Sequence, residues 1–412
     1  MRILIVASNI SPHMGGEAVL PWHYIRELAA RGHEVHAATH ARVRETLLTG
    51  PLAGAATYHF VEDSFLEKLF HRLGQIAPAA LRDAVFNTLV AFVTLSRLGA
   101  KTRELAAAYD FDVIHQPTPV SPLFPSFTYG VSAPVVIGPM NGGMSFPPAF
   151  RREYSKGADA FVNLGRAFGG LLNRIAPGKR KASKILAANE RTRNALPKTI
   201  SASSIQMLVD NGVDLSLWTP SKSSRPAPPV FVFVGRLILL KGADMLIEAF
   251  GNVENDARLV IIGDGPEKTR LETLATEHAP GRVAFTGFLS QPEIRDRLAE
   301  STALILPSLR DCGGAVILEA FACGAPAIAV DWGGPQDYVT PETGILIEPR
   351  SRDYVVNELA TSMTALVADR ARAETMGRRA RDHVEAHYGW AAKADAIEAV
   401  YRDVCAKTDR KN

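Results

Sequence analysis

Short apolar runs alternating with amphipathic helical stretches, twice over, limit this chain's fold more than anything else in it. The first half runs "RILIVAS", then "EAVLPWHYIRELAARG" with apolar residues at helical spacing, then "HEVHAAT", and later "DVIHQ", "PVVIGP", "KILAAN" and "IQMLV". Wholly apolar strands are strands covered on both faces, and their alternation with helices is the rhythm of a parallel sheet with crossover connections. At residues 211–229 the text changes to "NGVDLSLWTPSKSSRPAPP", rich in Pro and Ser and without periodicity, as an interdomain linker reads. The pattern then restarts with "VFVFVG", "GADMLIEAF", "RLVIIG", "PEKTRLETLATEH", "RVAFTG", "PEIRDRLAES", "ALILPS", "AVILEAFACG" and "PAIAVD". The tail from "DYVVNELATSM" to "EAVYRDVCAK" is helical in pattern.

The expected fold is therefore α/β, with two Rossmann-like doubly wound parallel-sheet domains facing a central cleft. A chain of 412 residues exceeds the size at which one core keeps growing. The expected bounds are a first domain over 1–210, a linker over 211–229, a second domain over 230–385 and a C-terminal helix over 386–412. Open sheets of this kind bind ligands beyond the carboxyl ends of their strands.

Composition removes other classes. With Lys+Arg 46 against Asp+Glu 43 and 47% hydrophobic residues, the chain is neither disordered nor charged enough to imply nucleic acid as a partner. The start, "MRILIVASNISPHMGG", lacks the apolar length of a signal peptide and reads as a buried strand. "AVFNTLVAFVTLSRLGA", the best membrane-span candidate, is broken by Asn87, Thr88, Ser96 and Arg97. The expected location is the cytoplasm. Three cysteines, Cys312, Cys323 and Cys405, form neither a disulfide framework nor a zinc pattern. His33 and His36 would point to opposite faces of one strand, so no metal site is expected there. Residues 151–198 hold 12 Lys/Arg and 3 Asp/Glu. Such a segment fits peripheral contact with the inner face of the cytoplasmic membrane, or one solvated helix face.

Two stretches carry chemistry. "VFVFVGRLILLKGADMLIEAF" puts Gly235 and Arg236 at a strand end and Lys241 and Gly242 at the start of a helix, where unpaired N–H groups already favour an anion such as a diphosphate. It is not a Walker A loop. "DCGGAVILEAFACG" opens a second helix with Gly313 and Gly314, and sets Asp311 before the helix and Glu319 inside it. There Glu319 can accept hydrogen bonds from a ribose diol, or be a surface acid, while Asp311 can face a ligand or sit at the helix cap.

Together with "VIIGDGPEKTRLE", "FTGFLSQPEI", the N-terminal "MGGEAVLPWHYIRELAARGHEVH", "NGVD" and the final "HYGWAAKADAIEAVY", these stretches resemble the retaining glycosyltransferases of family 4 (glycosyl transferases group 1), which have the GT-B fold. The resemblance implies that the first domain binds the acceptor and the second the nucleoside diphosphate sugar, and that the 386–412 helix packs back on the first domain. Arg236 and Lys241 would hold the donor pyrophosphate in place of a metal, Glu319 the ribose, and Asp311 the hydroxyls of the donor sugar. Gly235 and the amides of Gly313, Gly314 and Ala315 would lie near sugar and phosphate, Gly15 and Gly16 would close over them, and Leu289 would meet the base. His115 is the implied cleft histidine for sugar or acceptor, or else a buried core histidine, and Asn141 and Gly142 of "GPMNGG" would face the acceptor or the donor, or form a structural turn. Three positions depart from the family pattern: Asp311 stands where Glu is usual, "CGG" replaces "GFG", and Pro117 occupies the place where the histidine often occurs. No cofactor is implied beyond the donor, UDP- or GDP-sugar being favoured. The implied activity is hexosyl transfer to an acceptor hydroxyl of a sugar, a lipid-linked glycan or a small molecule, in cell-surface polysaccharide or glycolipid synthesis. A GT-B sugar-nucleotide epimerase and a non-catalytic nucleotide-sugar-binding module are the alternatives. A dinucleotide dehydrogenase lacks its G-x-G-x-x-G, since "SNISPHMGG" follows the first strand.

Overall fold

The computed structural model describes residues 1–14, 16–78, 82–154, 173, 175–221, 227–253 and 256–409. The chain forms two compact units, one of Met1–Gly143, Ala160–Asp210 and Ala394–Asn412, the other of Met144–Asp159 and Asn211–Lys393.

The first unit is built on seven strands: β1 (Arg2–Val6), β2 (Glu34–His40), β3 (Thr57–Val61), β4 (Val113–Gln116), β5 (Val135–Met140), β6 (Lys184–Ala187) and β7 (Ile205–Met207). They lie in the order β3-β2-β1-β4-β5-β6-β7, all neighbours parallel. Helices Val19–Ala30 and Asn87–Ala108 bury Tyr24, Ile25, Leu28, Leu95 and Leu98. The end of the Trp390–Asp409 helix also belongs to this unit and buries Ile397, Val400 and Tyr401.

The second unit has six strands: β8 (Val230–Val234), β9 (Arg258–Ile262), β10 (Val283–Gly287), β11 (Ala303–Leu306), β12 (Ala327–Val330) and β13 (Gly344–Ile347). Their order, β10-β9-β8-β11-β12-β13, is that of a dinucleotide-type doubly wound sheet. Every residue of β11 and β12 is buried, which is why "ALIL" and "AIAV" are uniformly apolar. Replacing Ile305 by Ala there removes a fully buried side chain, a change that costs about 2–5 kcal/mol. The order in which strands are laid down reverses between β8 and β11, which run parallel, so the loops after these two strands flank the switch point.

Two strands were not expected, β3 and β13. Each is an edge strand, and β3 in particular is only partly covered, so Thr57, Tyr58 and His59 give no continuous apolar run.

Candidate active site

The loops after β8 and β11 meet at the switch point. The chain leaves β8 through Gly235 and Arg236, makes one tight turn over Leu239–Lys241, and enters the Ala243–Gly251 helix at Gly242, whose φ is 67°. A Cβ at Gly242 would come within 2.4 Å of the Pro307 carbonyl oxygen, so this turn needs glycine for both its conformation and its closeness to the chain leaving β11. The Leu309 amide then donates to the Leu240 carbonyl at 3.0 Å, locking the loops together.

That contact brings Lys241 to Asp311. The ammonium donates to Asp311 Oδ2 at 2.5 Å, with both side chains largely covered. Asp311 Oδ1 accepts the Gly314 amide at 3.0 Å, so the carboxylate holds the Gly-rich turn and the lysine at once. Gly314, at φ 55°, opens the Ala315–Ala322 helix. The amides of Gly313 and Ala315 have no hydrogen-bond partner among the described residues. Sequence reasoning missed Asn211 of "NGVD": its amide donates to the Gly313 carbonyl at 3.1 Å and to the Tyr338 hydroxyl at 3.0 Å, fixing the turn from behind.

Two charged groups around this pair are unmatched. Arg236 is exposed and has no side-chain partner among the described residues. Glu319, partly exposed on the helix, likewise has none, and burial pushes its carboxyl up to about 7. Leu289 is half-buried after β10. Its neighbour Phe288, which the sequence reading passed over, is 89% exposed. The signal was there, since an aromatic between a strand and the Ser290–Glu293 capping box has no helix or strand to bury it.

In the first unit the candidate residues behave differently. His115, on β4, is fully buried; its Nε2 lies 2.6 Å from the Gly138 carbonyl and its Nδ1 2.6 Å from the Tyr401 hydroxyl. A carbonyl only accepts, so Nε2 carries the proton and Nδ1 accepts from Tyr401. Burial lowers the ring to about 4, which keeps it neutral. Both nitrogens are committed within the core, which fits the reading of His115 as a buried core histidine. The sequence hint lay in "IGPM": β5 loses ladder register between Ile137 and Met140, which leaves the Gly138 carbonyl to be satisfied from the next strand.

Asn141 is also buried. Its amide donates to Asp210 at 2.9 Å and its oxygen accepts from Arg191 at 3.3 Å. The Gly142 amide donates to the Thr192 hydroxyl at 3.1 Å, and its carbonyl accepts from Arg191 Nε at 3.1 Å. Of the two readings of "GPMNGG", these bonds fit the structural turn. Gly16, at φ 51°, is exposed before the Val19–Ala30 helix. Gly15 lies outside the described residues, as do 155–172 and 174 of the basic segment.

Two acidic groupings remain. The Asp110-Phe111-Asp112 triplet, the chain's Asp-x-Asp, precedes β4 at its amino end, and Asp112 accepts the Arg2 amide at 2.6 Å. His40, Asp63 and Glu67 cluster as metal ligands would. Yet His40 Nδ1 accepts from the Arg42 amide at 3.1 Å and its Nε at 3.0 Å, so the nitrogen facing the acids carries the proton and has no lone pair for a cation.

The family model for "Glycosyl transferases group 1" matches residues 218–383. The GDP-mannose-dependent monoacylated alpha-(1-6)-phosphatidylinositol monomannoside mannosyltransferase of Corynebacterium glutamicum is 34% identical over 201 residues, 44% of this chain and 51% of that protein. The chain thus spans about half the length of this curated relative. Among solved structures, sucrose-phosphate synthase from Thermosynechococcus elongatus matches with TM-score 0.67 at 21% identity, over 98% of this chain and 99% of that one. Anabaena HepE in complex with UDP and glucose matches with TM-score 0.65 at 19% identity, over 98% and 100%. Residues 218–383 are thus similar to the glycosyl transferases group 1 family, and the chain's two Rossmann-like units have the GT-B fold.

Proposed function

We propose that the protein is a retaining glycosyltransferase of family 4. It moves a hexosyl group from a UDP- or GDP-sugar to an acceptor hydroxyl in cell-surface polysaccharide or glycolipid synthesis. The observation that carries this reading is the Lys241–Asp311 pair at the β8/β11 switch point, beside unmatched Arg236 and the open amides of Gly313 and Ala315. Fixed positive charge and free N–H groups gathered at a helix entrance suit a diphosphate. The C. glutamicum relative is named for GDP-mannose and the Anabaena structure holds UDP and glucose, which supports a nucleotide sugar without choosing its base.

In this reading Arg236 and Lys241 hold the pyrophosphate, and Glu319 accepts from the ribose diol. Leu289 and the exposed ring of Phe288 meet the base, while Gly235 and Gly16 allow close backbone approach. The bond between the anomeric carbon and the β-phosphate oxygen breaks while the acceptor oxygen bonds that carbon on the same face. The acceptor's proton passes to the departing phosphate oxygen. Negative charge grows on the pyrophosphate as this happens, so preplaced cations act more strongly on the transition state than on the ground state. Asp311 keeps Lys241 in place, and with both oxygens engaged it meets a sugar hydroxyl only by exchanging one of those bonds. The first unit is assigned to the acceptor, and the cytoplasm is the proposed location. Among the described residues no helix is long and apolar enough to cross a membrane.

A panel of UDP-, GDP- and ADP-sugars, read by thermal shift and by product mass spectrometry with mixed acceptors, tests this. One donor should stabilise the protein and yield a glycosylated product. Stabilisation without product would make the chain a binding module. Release of free nucleotide without an acceptor would make it an epimerase.

A further inference from the structure

The Phe65–Ile76 helix of the first unit is covered on one side only. Of the fourteen large apolar side chains exposed among the described residues, four lie on this helix: Phe65 at 77%, Leu66 at 48%, Leu73 at 43% and Ile76 at 85%. Two more, Val85 and Leu89, are on the segment that follows and packs beside it. At roughly 100° per residue, Phe65, Ile76, Leu73 and Leu66 fall within one arc of about 100°, with half-buried Leu69 in its middle. The opposite side is anchored. Gly74 packs against Phe86, and buried Glu67 accepts from Thr94 Oγ1 at 2.5 Å, the Ser64 amide at 2.7 Å and Arg97 at 3.2 Å.

Charge identifies the occupant. Lys68 and Arg72 border the apolar arc on one side, both exposed and without an ion-pair partner among the described residues. The helix's one acid, Glu67, is buried, so the helix exposes cations and no carboxylate. Just ahead of it, Glu62 is neutralised by Arg44 at 2.5 Å and Asp63 lies 3.2 Å from His40. The helix has 12 residues, far short of the ~20 that span a bilayer. An apolar crest with a basic border on a short, firmly anchored helix is the pattern of a segment that lies in a membrane interface.

We propose that the Phe65–Ile76 helix is a docking surface for an anionic lipid bilayer, with Phe65, Leu66, Leu73 and Ile76 in the acyl boundary and Lys68 and Arg72 on the headgroups. This does not depend on the donor chemistry. The test is flotation of the full chain with vesicles of phosphatidylcholine, alone or with about one third phosphatidylglycerol. The variants are Phe65→Ser/Ile76→Ser and Lys68→Glu/Arg72→Glu, whose altered side chains are exposed and whose melting should match the parent. The parent should bind the anionic vesicles, and each variant should lose about tenfold in partitioning. Absence of binding, or binding unchanged in both variants, overturns the proposal. So does a parent dimer that Phe65→Ser/Ile76→Ser turns into monomer, which would make the face a contact between copies.

Discussion

The two sheets share their winding, since β3-β2-β1-β4-β5-β6 in the first unit matches β10-β9-β8-β11-β12-β13 in the second. Their candidate residues have opposite fates. In the second unit Arg236, Glu319 and the amides of Gly313 and Ala315 have no partners among the described residues. In the first, His115, Asn141 and Gly142 are each bonded from both sides. A doubly wound sheet therefore offers a place for a ligand, and uncompensated polar groups indicate which loops would bind one.

The strongest attempt to break this contrast is Lys241→Ala. It should lower kcat by about a hundredfold to a thousandfold, as loss of one oxyanion donor does; turnover close to the parent's would remove the second unit's claim. Glu319→Gln should weaken nucleoside diphosphate binding by about tenfold to a hundredfold, measured by calorimetry with whichever of UDP, GDP and ADP binds the parent.

The same residue carries a pH signature. The folded pKa, about 7, lies above the ordinary 4.5, so the folded state holds the proton more tightly than the unfolded one. The stability this contributes is complete below 4.5 and is lost as pH rises to about 7. The parent's melting temperature should fall across that window relative to Glu319→Gln, while its nucleotide affinity rises relative to the variant's as the carboxylate forms.

For the first unit the contrast predicts a cost in folding without a cost in chemistry. Asn141→Ala leaves buried Asp210 without that amide donor and should destabilise by about 1–3 kcal/mol in denaturant melts. Turnover per folded molecule should hold, and a fall in kcat would return Asn141 to the acceptor. The mildest change is Asp311→Asn, which keeps an acceptor for the Gly314 amide and removes the charge holding Lys241. Freed of that competitor, the ammonium should bind nucleoside diphosphate several-fold tighter. Weakening would mean that the carboxylate matters more for placing the lysine than it costs in repulsion.

Much of the architecture was legible. "VFVFV", "ALIL" and "AIAV" announce central strands because a strand covered on both faces must be apolar throughout, and "TYHFV" escaped because an edge strand is freed from that demand. Gly242 and Gly314 were legible as helix-opening turns. The difference between a ligand group and a core group was not. His115 reads equally well as either until Tyr401, 286 residues away, is seen to donate to its ring.

The sequence by itself determined the doubly wound sheets, the glycine turns at strand exits and the residue types that could hold a diphosphate, because periodicity and turn chemistry act over a few neighbouring positions. Only the tertiary structure decided that Lys241 meets Asp311, that Asn211 braces Gly313, and that His115 and Asn141 are already satisfied. The physical reason is that a polar group's availability depends on partners brought near by folding, at separations from 69 to 286 residues for these pairs, and local pattern carries no record of them.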